Sequence, residues 1–394
     1  MVVDQESLRQ EFSLRLVSSH NLTALRGIAA IILVVFHCDI FLKPVFNHAN
    51  SMLIANGWVW VDFFFVLSGF LLTHIYWNDF EKSISSRFYF RFLIRRIAKI
   101  FPLHWFLLFI TFGLARLLIW KSDQVSWYMA EMLNSEAIAS HFLLTNSLNF
   151  QRIPTLNTPT WSLSAEWCTY VLYPFMACGF SRFMKLPTLV KVSIVTILLL
   201  FIFGIFDFRH IVAVICESDL EMHMTSDWGF LRCLVWFTLG LAARRNAPRF
   251  TKFKYLCSDL SFLVVLVLIF AGMHIDLNSS LIVLLFPLLI VSAVLNNGIV
   301  SAILSHPVFQ YAGKLSFSIY MVHVPIIYVY WLNILNDYPD ALYRVGAIQA
   351  AIRVPALQLC AEVLIASVTL SILLFRFIEA PSNYFIRNLF KDSR

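Results

Sequence analysis

An arginine and a histidine that share one helical face are the two residues in this sequence best placed to do chemistry. Arg26 and His37 are eleven residues apart in an otherwise apolar segment, residues 22–42. If the segment is helical, His37 lies within about 20° of the Arg26 face and roughly 16 Å further along the axis. Two ionisable side chains inside a bilayer are costly unless they have a function, although a snorkelling arginine and a packed histidine are the structural alternative.

Two carboxylates are predicted at a depth similar to that of His37. Asp62 lies near the start of the second apolar segment, and Glu166 lies near the start of the fourth. A histidine that acts as a general base needs a carboxylate to fix its tautomer and to stabilise the imidazolium. We expect Glu166, rather than Asp62, to orient His37, because Pro159 fixes the start of its helix. For each carboxylate, a favourable interaction with the helix dipole is the alternative explanation.

A basic run at the start of the third apolar segment suggests a phosphate site. The run contains Arg87, Arg91, Arg95, Arg96 and Lys99. Arginine forks bind phosphate through two parallel hydrogen bonds, so Arg95 and Arg96 are predicted to hold a phosphorylated donor. Contact with lipid headgroups is the alternative, and it is preferred for Arg87 and Arg91.

The composition is typical of a membrane protein. Of the 394 residues, 59% are hydrophobic and only 13% are charged, and the mean hydropathy is +0.75. Apolar stretches of about 20 residues between short polar loops predict an all-α, polytopic membrane bundle of about ten transmembrane helices. The predicted spans are 22–42, 56–77, 97–120, 161–180, 188–207, 228–243, 258–275, 279–296, 313–336 and 356–378.

The distribution of basic residues predicts the orientation of the bundle. Most of the 30 Lys and Arg residues lie on the side that is cytosolic when the N-terminus is cytosolic, as the positive-inside rule requires. Both termini are therefore predicted to be cytosolic, with tails at 1–20 and 381–394 around one membrane domain at 21–380. Anionic inner-leaflet lipid explains the net charge of +7, and nucleic acid is not an expected partner.

The other reactive residue types are expected to be structural. The seven cysteines have no C-x-x-C spacing and lie mostly in apolar segments, so neither a disulfide nor a metal site is predicted. His323 is expected to be a hydrogen-bonded core histidine, with a substrate contact as the alternative. Ser68 and Gly69 are expected to allow close helix packing.

Taken together, the motifs resemble the acyltransferase 3 family of integral membrane acyltransferases over nearly the whole chain. Arg26 followed by His37 resembles the family's opening motif, and VDFFFVLSGF at 61–70 resembles its second-helix signature. Later segments also fit: RRIAKIFP at 95–102, TWSLSAE at 160–166, GKLSFSIY at 313–320 and EAP at 379–381. The sequence departs from the family at Trp60, where glycine is usual, and at Lys99, where arginine is common and lysine lacks the bidentate fork.

The resemblance implies an O-acyltransferase of the inner membrane. In this family an acyl group, usually acetyl, passes from cytosolic acyl-CoA to a hydroxyl of an envelope polysaccharide, lipopolysaccharide, lipid-linked sugar or similar acceptor. Arg26 with Arg95 or Arg96 would hold the CoA phosphates, and His37 would deprotonate the acceptor or carry the acyl group itself. The rise of roughly 16 Å along the first helix is comparable to an extended pantetheine arm.

The acceptor is expected to meet the outer segment at residues 121–160. Its Trp127, Tyr128, Asn146 and Asn149 suit sugar rings and hydroxyls. No soluble hydrolase-like domain, which some family members carry, is expected after the last span. Two other functions stay open: a transporter or flippase of a lipid-linked sugar that relays protons through His37, and a non-catalytic partner in envelope assembly.

Overall fold

The computed structural model of the chain is helical, and no strand occurs among the residues that it describes. Those residues are 10, 12–16, 20–45, 48–121, 133–148, 155–188, 190, 229–252, 254–337 and 354–390. The all-α class predicted from composition is therefore confirmed for this part of the chain.

The helices are numbered here in chain order, and short 3-10 turns lie before α2 (Ala55–Trp58) and after α6 (Ala247–Lys252 and Lys254–Cys257). A π-helical turn, Phe375–Glu379, joins the last two helices. The α-helices are α1 (Asn21–Phe41), α2 (Val59–Phe80), α3 (Ser86–Lys121), α4 (Ser135–Leu143), α5 (Thr160–Met184), α6 (Gly229–Asn246), α7 (Asp259–His274), α8 (Ser279–Val283), α9 (Phe286–Leu295), α10 (Ile299–Leu304), α11 (Pro307–Asp337), α12 (Ala356–Leu374) and α13 (Ala380–Leu389).

Five helical segments in the described part of the chain are long and apolar enough to cross a membrane. They contain α1, α2, α3, α11 and the continuous pair α12 and α13. The predicted count of ten spans is not confirmed. The predicted segments at 258–275 and 279–296 form shorter apolar helices, and most of the predicted span at 188–207 lies outside the described residues.

The third helix begins earlier than predicted. It starts at Ser86 rather than near residue 97, so the basic run forms the first turns of the same helix that crosses the apolar layer. Further along, α3 exposes the large apolar side chains of Phe109 and Trp120. A helix that is basic at one end and apolar on its outer face suits contact with both headgroups and lipid tails.

Two close helix crossings at glycines bring the motif-bearing helices together. A Cβ added to Gly313 of α11 would lie only 1.9 Å from the carbonyl oxygen of Thr23 in α1. Likewise, a Cβ on Gly69 of α2 would lie 2.0 Å from the carbonyl oxygen of Phe237 in α6. Larger residues would push these helices apart, so the close packing predicted at Gly69 is confirmed. The first crossing sets the α1 face that carries Arg26 and His37 against α11.

Candidate active site

His37 is buried in the C-terminal half of α1, with only 6% of its surface exposed. Its Nδ1 lies 2.7 Å from the carbonyl oxygen of Leu33, one turn earlier in the helix. A carbonyl oxygen can only accept a hydrogen bond, so Nδ1 carries the hydrogen and Nε2 keeps a free lone pair. The main chain thus fixes the tautomer that a general base needs at Nε2.

A second histidine lies against His37. The His323 ring of α11 has its centroid 4.7 Å from that of His37 and 5.7 Å from that of Tyr320. His323 is fully buried, and neither of its ring nitrogens has a hydrogen-bond partner among the described residues. His323 is therefore a core residue, as predicted, but its ring packs on the rings of His37 and Tyr320 rather than forming the predicted side-chain hydrogen bond.

Asp62 is paired with an arginine rather than with His37. The guanidinium of Arg232 in α6 donates to both oxygens of Asp62, at 2.8 Å and 2.5 Å. Both side chains are almost fully buried, and the guanidinium also stacks on the ring of Trp58 at 4.4 Å. Asp62, the less favoured of the two candidate carboxylates, does not orient His37, because Arg232 bonds both of its oxygens. Arg232 was not among the predicted site residues, although an arginine inside the apolar segment 228–243 needs a buried partner.

Glu166 also lies away from His37. Its Oε1 accepts hydrogen bonds from the hydroxyls of Ser68 and Tyr170, the latter at 2.5 Å. No hydrogen bond joins Glu166 to His37 within the described residues. The expected Glu166–His37 contact was inferred from depth alone, and depth does not fix which helices are neighbours. The structure places Glu166 instead in a cavity with arginines.

That cavity, which we call the inner cavity, has a volume of about 240 Å³. Arg26 and Glu166 line it, and Arg26 is attracted by the charges of Glu166 and of Glu379 in the π-helical turn. Tyr320, whose ring contacts that of His323, lines it as well. Its other polar lining residues are Ser68, Arg96, Lys99, Ser162, Tyr170 and Ser316.

Arg96 is held in place at the inner cavity by aromatic side chains. Its guanidinium donates to the Tyr76 hydroxyl at 3.2 Å and lies 5.5 Å to 5.9 Å from the ring centroids of Tyr76, Phe92 and Tyr170. Cation–π contacts of this kind fix the plane of an arginine without neutralising its charge. Arg96 therefore contributes a positive charge to the cavity, where it interacts with the charge of Glu166.

Lys99 forms an ion pair with Glu379, a pairing that the sequence motifs do not predict. Glu379 is buried, and its second oxygen accepts a hydrogen bond of 2.6 Å from Ser318. Lys99 also lines a larger cavity of about 470 Å³, which we call the mouth cavity and which contains Arg95. The structure thus brings Arg26 and Arg96 to the inner cavity and Arg95 to the adjoining one, with Lys99 common to both.

The start of α5 is anchored by a buried histidine of α4, outside the five membrane-length helices. The Thr160 hydroxyl donates to the Asn157 carbonyl and so accepts from Nδ1 of His141, while Nε2 of His141 lies 2.9 Å from the Thr155 hydroxyl. Burial, with the nearby charge of His104 adding to it, lowers the pKa of His141 to about 3.

The proposed acceptor segment is only partly visible. Asn146 is buried, with 6% exposure, so it does not offer its amide to an acceptor as expected. The burial follows from packing of the 144–148 turn on α5, where Ser164 bonds both Leu144 and Ser147. Trp127, Tyr128 and Asn149 lie outside the described residues.

The fold and the site together describe a helical membrane protein with a polar interior, which is formed by a buried histidine pair and two arginine-lined cavities. This chain belongs to the acyltransferase 3 family, because the family's acyltransferase-domain profile matches residues 19–376. The resemblance inferred from the motifs is thereby confirmed. No solved structure matches the chain.

Three bacterial proteins illustrate the similarity. The SACOL0978 protein of Staphylococcus aureus (strain COL), whose name proposes an O-acetyltransferase, is 25% identical over 329 residues, which make up 78% of this chain and 50% of that protein. Acyltransferase MdmB of Streptomyces mycarofaciens is 32% identical over 169 residues, or 41% of this chain and 39% of MdmB. Peptidoglycan O-acetyltransferase OatA of Listeria monocytogenes is 26% identical over 178 residues, or 43% of this chain and 26% of OatA. This chain spans about half the length of the Staphylococcus relative.

Proposed function

We propose that this protein is a membrane O-acyltransferase that moves an acyl group, in the first place acetyl, from acyl-CoA to a hydroxyl of a cell-envelope glycan. The observation that carries the proposal is the arrangement on α1. His37 has a fixed tautomer with a free Nε2, and Arg26 lies in a cationic cavity on the same helix. Family membership and the acyltransferase names of the relatives support the same reaction class.

The donor would bind from the Arg26 end of the bundle, which the positive-inside rule makes the cytosolic end. Arg26, Arg95 and Arg96 supply the positive charge, and arginine suits the phosphates of CoA because its fork donates two hydrogen bonds. Eleven residues of helix separate Arg26 from His37, a rise of about 16 Å. An extended pantetheine arm has a comparable length and would carry the thioester towards His37.

His37 would act as the general base in a direct transfer. Its Nε2 takes the proton of the acceptor hydroxyl while the hydroxyl oxygen forms a bond to the carbonyl carbon of the thioester. The bond between carbon and sulfur then breaks, and the CoA thiolate receives the proton back from the imidazolium. His323 would keep the His37 ring in place, since the two rings are in contact.

The acceptor is the less constrained partner. OatA is named for peptidoglycan, and sugar hydroxyls are the acceptor class that this name supports. We propose that the acceptor reaches His37 from the end of the bundle opposite to Arg26. Donor and acceptor then meet at one base without sharing a path.

The proposal is tested with the purified full chain and [¹⁴C]acetyl-CoA, using envelope glycan fragments as acceptors. We expect label on the glycan in the wild type and none with His37→Ala, while His20→Ala, an exposed histidine just before the same helix, keeps activity. Wild-type transfer by a well-expressed His37→Ala would overturn the role of His37. Glycan movement across proteoliposomes without loss of acetyl-CoA would instead identify a transporter.

A further inference from the structure

The mouth cavity lies between the basic start of α3 and the C-terminal helix α13. At about 470 Å³ it falls within the range of ligand pockets in proteins. Its α3 wall carries Arg91, Arg95 and Lys99, which are spaced four residues apart and so form one row on the helix. Its α13 wall carries Asn383, Tyr384, Arg387 and Asn388.

The arginines of this cavity are not neutralised by the protein. Within the described residues, Arg91, Arg95 and Arg387 make neither a hydrogen bond nor an ion pair, and Glu379 is already taken by Lys99 and Ser318. Like charges four residues apart on a helix destabilise it. Arg91 and Arg95 on α3, with Arg387 on α13, therefore repel one another across the cavity, and a bound anion would relieve this repulsion.

The same wall offers flat rings and amides. Tyr384 lines the cavity with 72% of its surface exposed, and Phe390 lines it with 49% exposed. Exposed aromatic rings stack well on nucleobases, and the amides of Asn383 and Asn388 can bond the edge of a base. The cavity therefore combines phosphate-binding and base-binding groups.

Lys99 lines both cavities, so it marks the point where an elongated ligand would pass from one cavity to the other. A chain that continues into the inner cavity must leave the mouth cavity beside Lys99. Arg91 lies two helical turns away, about 12 Å along α3, and Arg387 faces it from α13. The end of the ligand furthest from the inner cavity lies between these two arginines.

We infer that α13 completes the nucleotide end of the donor site, with Arg387 and Arg91 on the 3′-phosphate of CoA and Arg95 with Lys99 on its diphosphate. This inference rests on the proposed function, because it takes acyl-CoA as the donor. It assigns to the C-terminal helix a role in selecting CoA over donors that lack the 3′-phosphate.

The test compares coenzyme A with dephospho-coenzyme A, which lacks only the 3′-phosphate, by equilibrium dialysis against the full chain in phosphatidylcholine nanodiscs. The wild type should bind CoA about tenfold more tightly, the size of one charge-assisted contact. Arg387→Gln and, separately, Arg91→Gln should remove this preference by weakening CoA alone. Arg376→Gln is the matched control, since Arg376 is exposed just before α13 and does not line the cavity.

The outcomes separate this inference from the proposed function. If CoA binds but both substitutions keep the wild-type preference, the nucleotide site on α13 is wrong while the donor stands. If neither CoA nor dephospho-CoA binds, the acyl-CoA donor fails and this site fails with it. Phosphatidylglycerol in the nanodiscs tests a lipid headgroup as the anion. Loss of bound phosphatidylglycerol in native mass spectra of Arg387→Gln, with an unchanged CoA preference, would assign the cavity to lipid and overturn the inference.

Discussion

The rings of His37 and His323 lie 4.7 Å apart in the contact between α1 and α11. Only His37 has a hydrogen bond that fixes its tautomer, from Nδ1 to the Leu33 carbonyl. His323 is fully buried without such a bond. We therefore propose that the second histidine positions the ring of the first through packing.

Removal of this packing should slow the chemical step. We expect His323→Ala to lower kcat about tenfold with little change in the KM for acetyl-CoA, because a misplaced base reacts poorly although the donor still binds. His323→Phe restores a flat ring of similar size and should stay within about threefold of the wild type. Steady-state kinetics on the purified variants measure both values. If His323→Phe is as slow as His323→Ala, the ring nitrogens matter and the packing role is wrong.

Arg26 should contribute to donor affinity rather than to the chemical step. Arg26→Ala removes a positive charge from the inner cavity, so the affinity for acetyl-CoA should fall about tenfold or more, whereas the KM for the acceptor stays the same. Arg26→Lys should recover only part of the affinity, because lysine lacks the fork. Isothermal titration calorimetry with CoA measures whether the affinity falls from the wild type to Arg26→Lys to Arg26→Ala. An unchanged CoA affinity in Arg26→Ala would show that Arg26 does not bind the donor and would favour the alternative of a snorkelling arginine.

Much of α1 was predictable from the sequence, whereas the pairing between helices was not. The 3.6-residue period fixes the shared face of Arg26 and His37 without any tertiary information. The partners of Asp62 and Glu166 depend on which helices touch, and the close crossing of α2 and α6 at Gly69 places Arg232, not His37, beside Asp62. Depth along a helix is a property of sequence position, but lateral contact is a property of the packed bundle.

Glu166 should influence the donor and not the base. Glu166→Gln can keep both hydrogen bonds to its Oε1, from Ser68 and Tyr170, while it removes a negative charge near Arg26. An anionic donor should therefore bind more tightly, with a KM for acetyl-CoA lowered about threefold. The dependence of kcat on pH should not move. A collapse of kcat with a shifted pH profile would place Glu166 beside His37 during the reaction and contradict the position seen here.

The Asp62–Arg232 pair should matter for folding more than for turnover. Arg232→Met leaves the Asp62 carboxylate buried without a partner, which should cost about 3–5 kcal/mol. The double variant Asp62→Leu with Arg232→Met removes both charges and should recover most of the loss. Thermal unfolding in detergent compares the stabilities of the wild type, the double variant and Arg232→Met, with Arg376→Met as an exposed control. A double variant as unstable as Arg232→Met would show that the unpaired buried charge is not the cause of the instability. A stable but inactive Asp62→Asn would show that Asp62 is needed for turnover as well as for packing α2 against α6.

Acid should destabilise the protein partly through His141. The pKa of this histidine is about 3 in the folded protein, against an ordinary value of 6.5. Between these values the unfolded chain binds a proton that the folded protein does not, so stability is greatest above pH 6.5 and falls as the pH falls. From pH 7 to pH 5 the loss from this one group is about 2 kcal/mol. His141→Gln cannot take up the proton, so its unfolding midpoint should fall less over that range than the midpoint of the wild type, whereas His20→Gln at an exposed site should behave like the wild type. Equal falls for His141→Gln and the wild type would mean that burial does not lower the pKa of His141 in the folded protein.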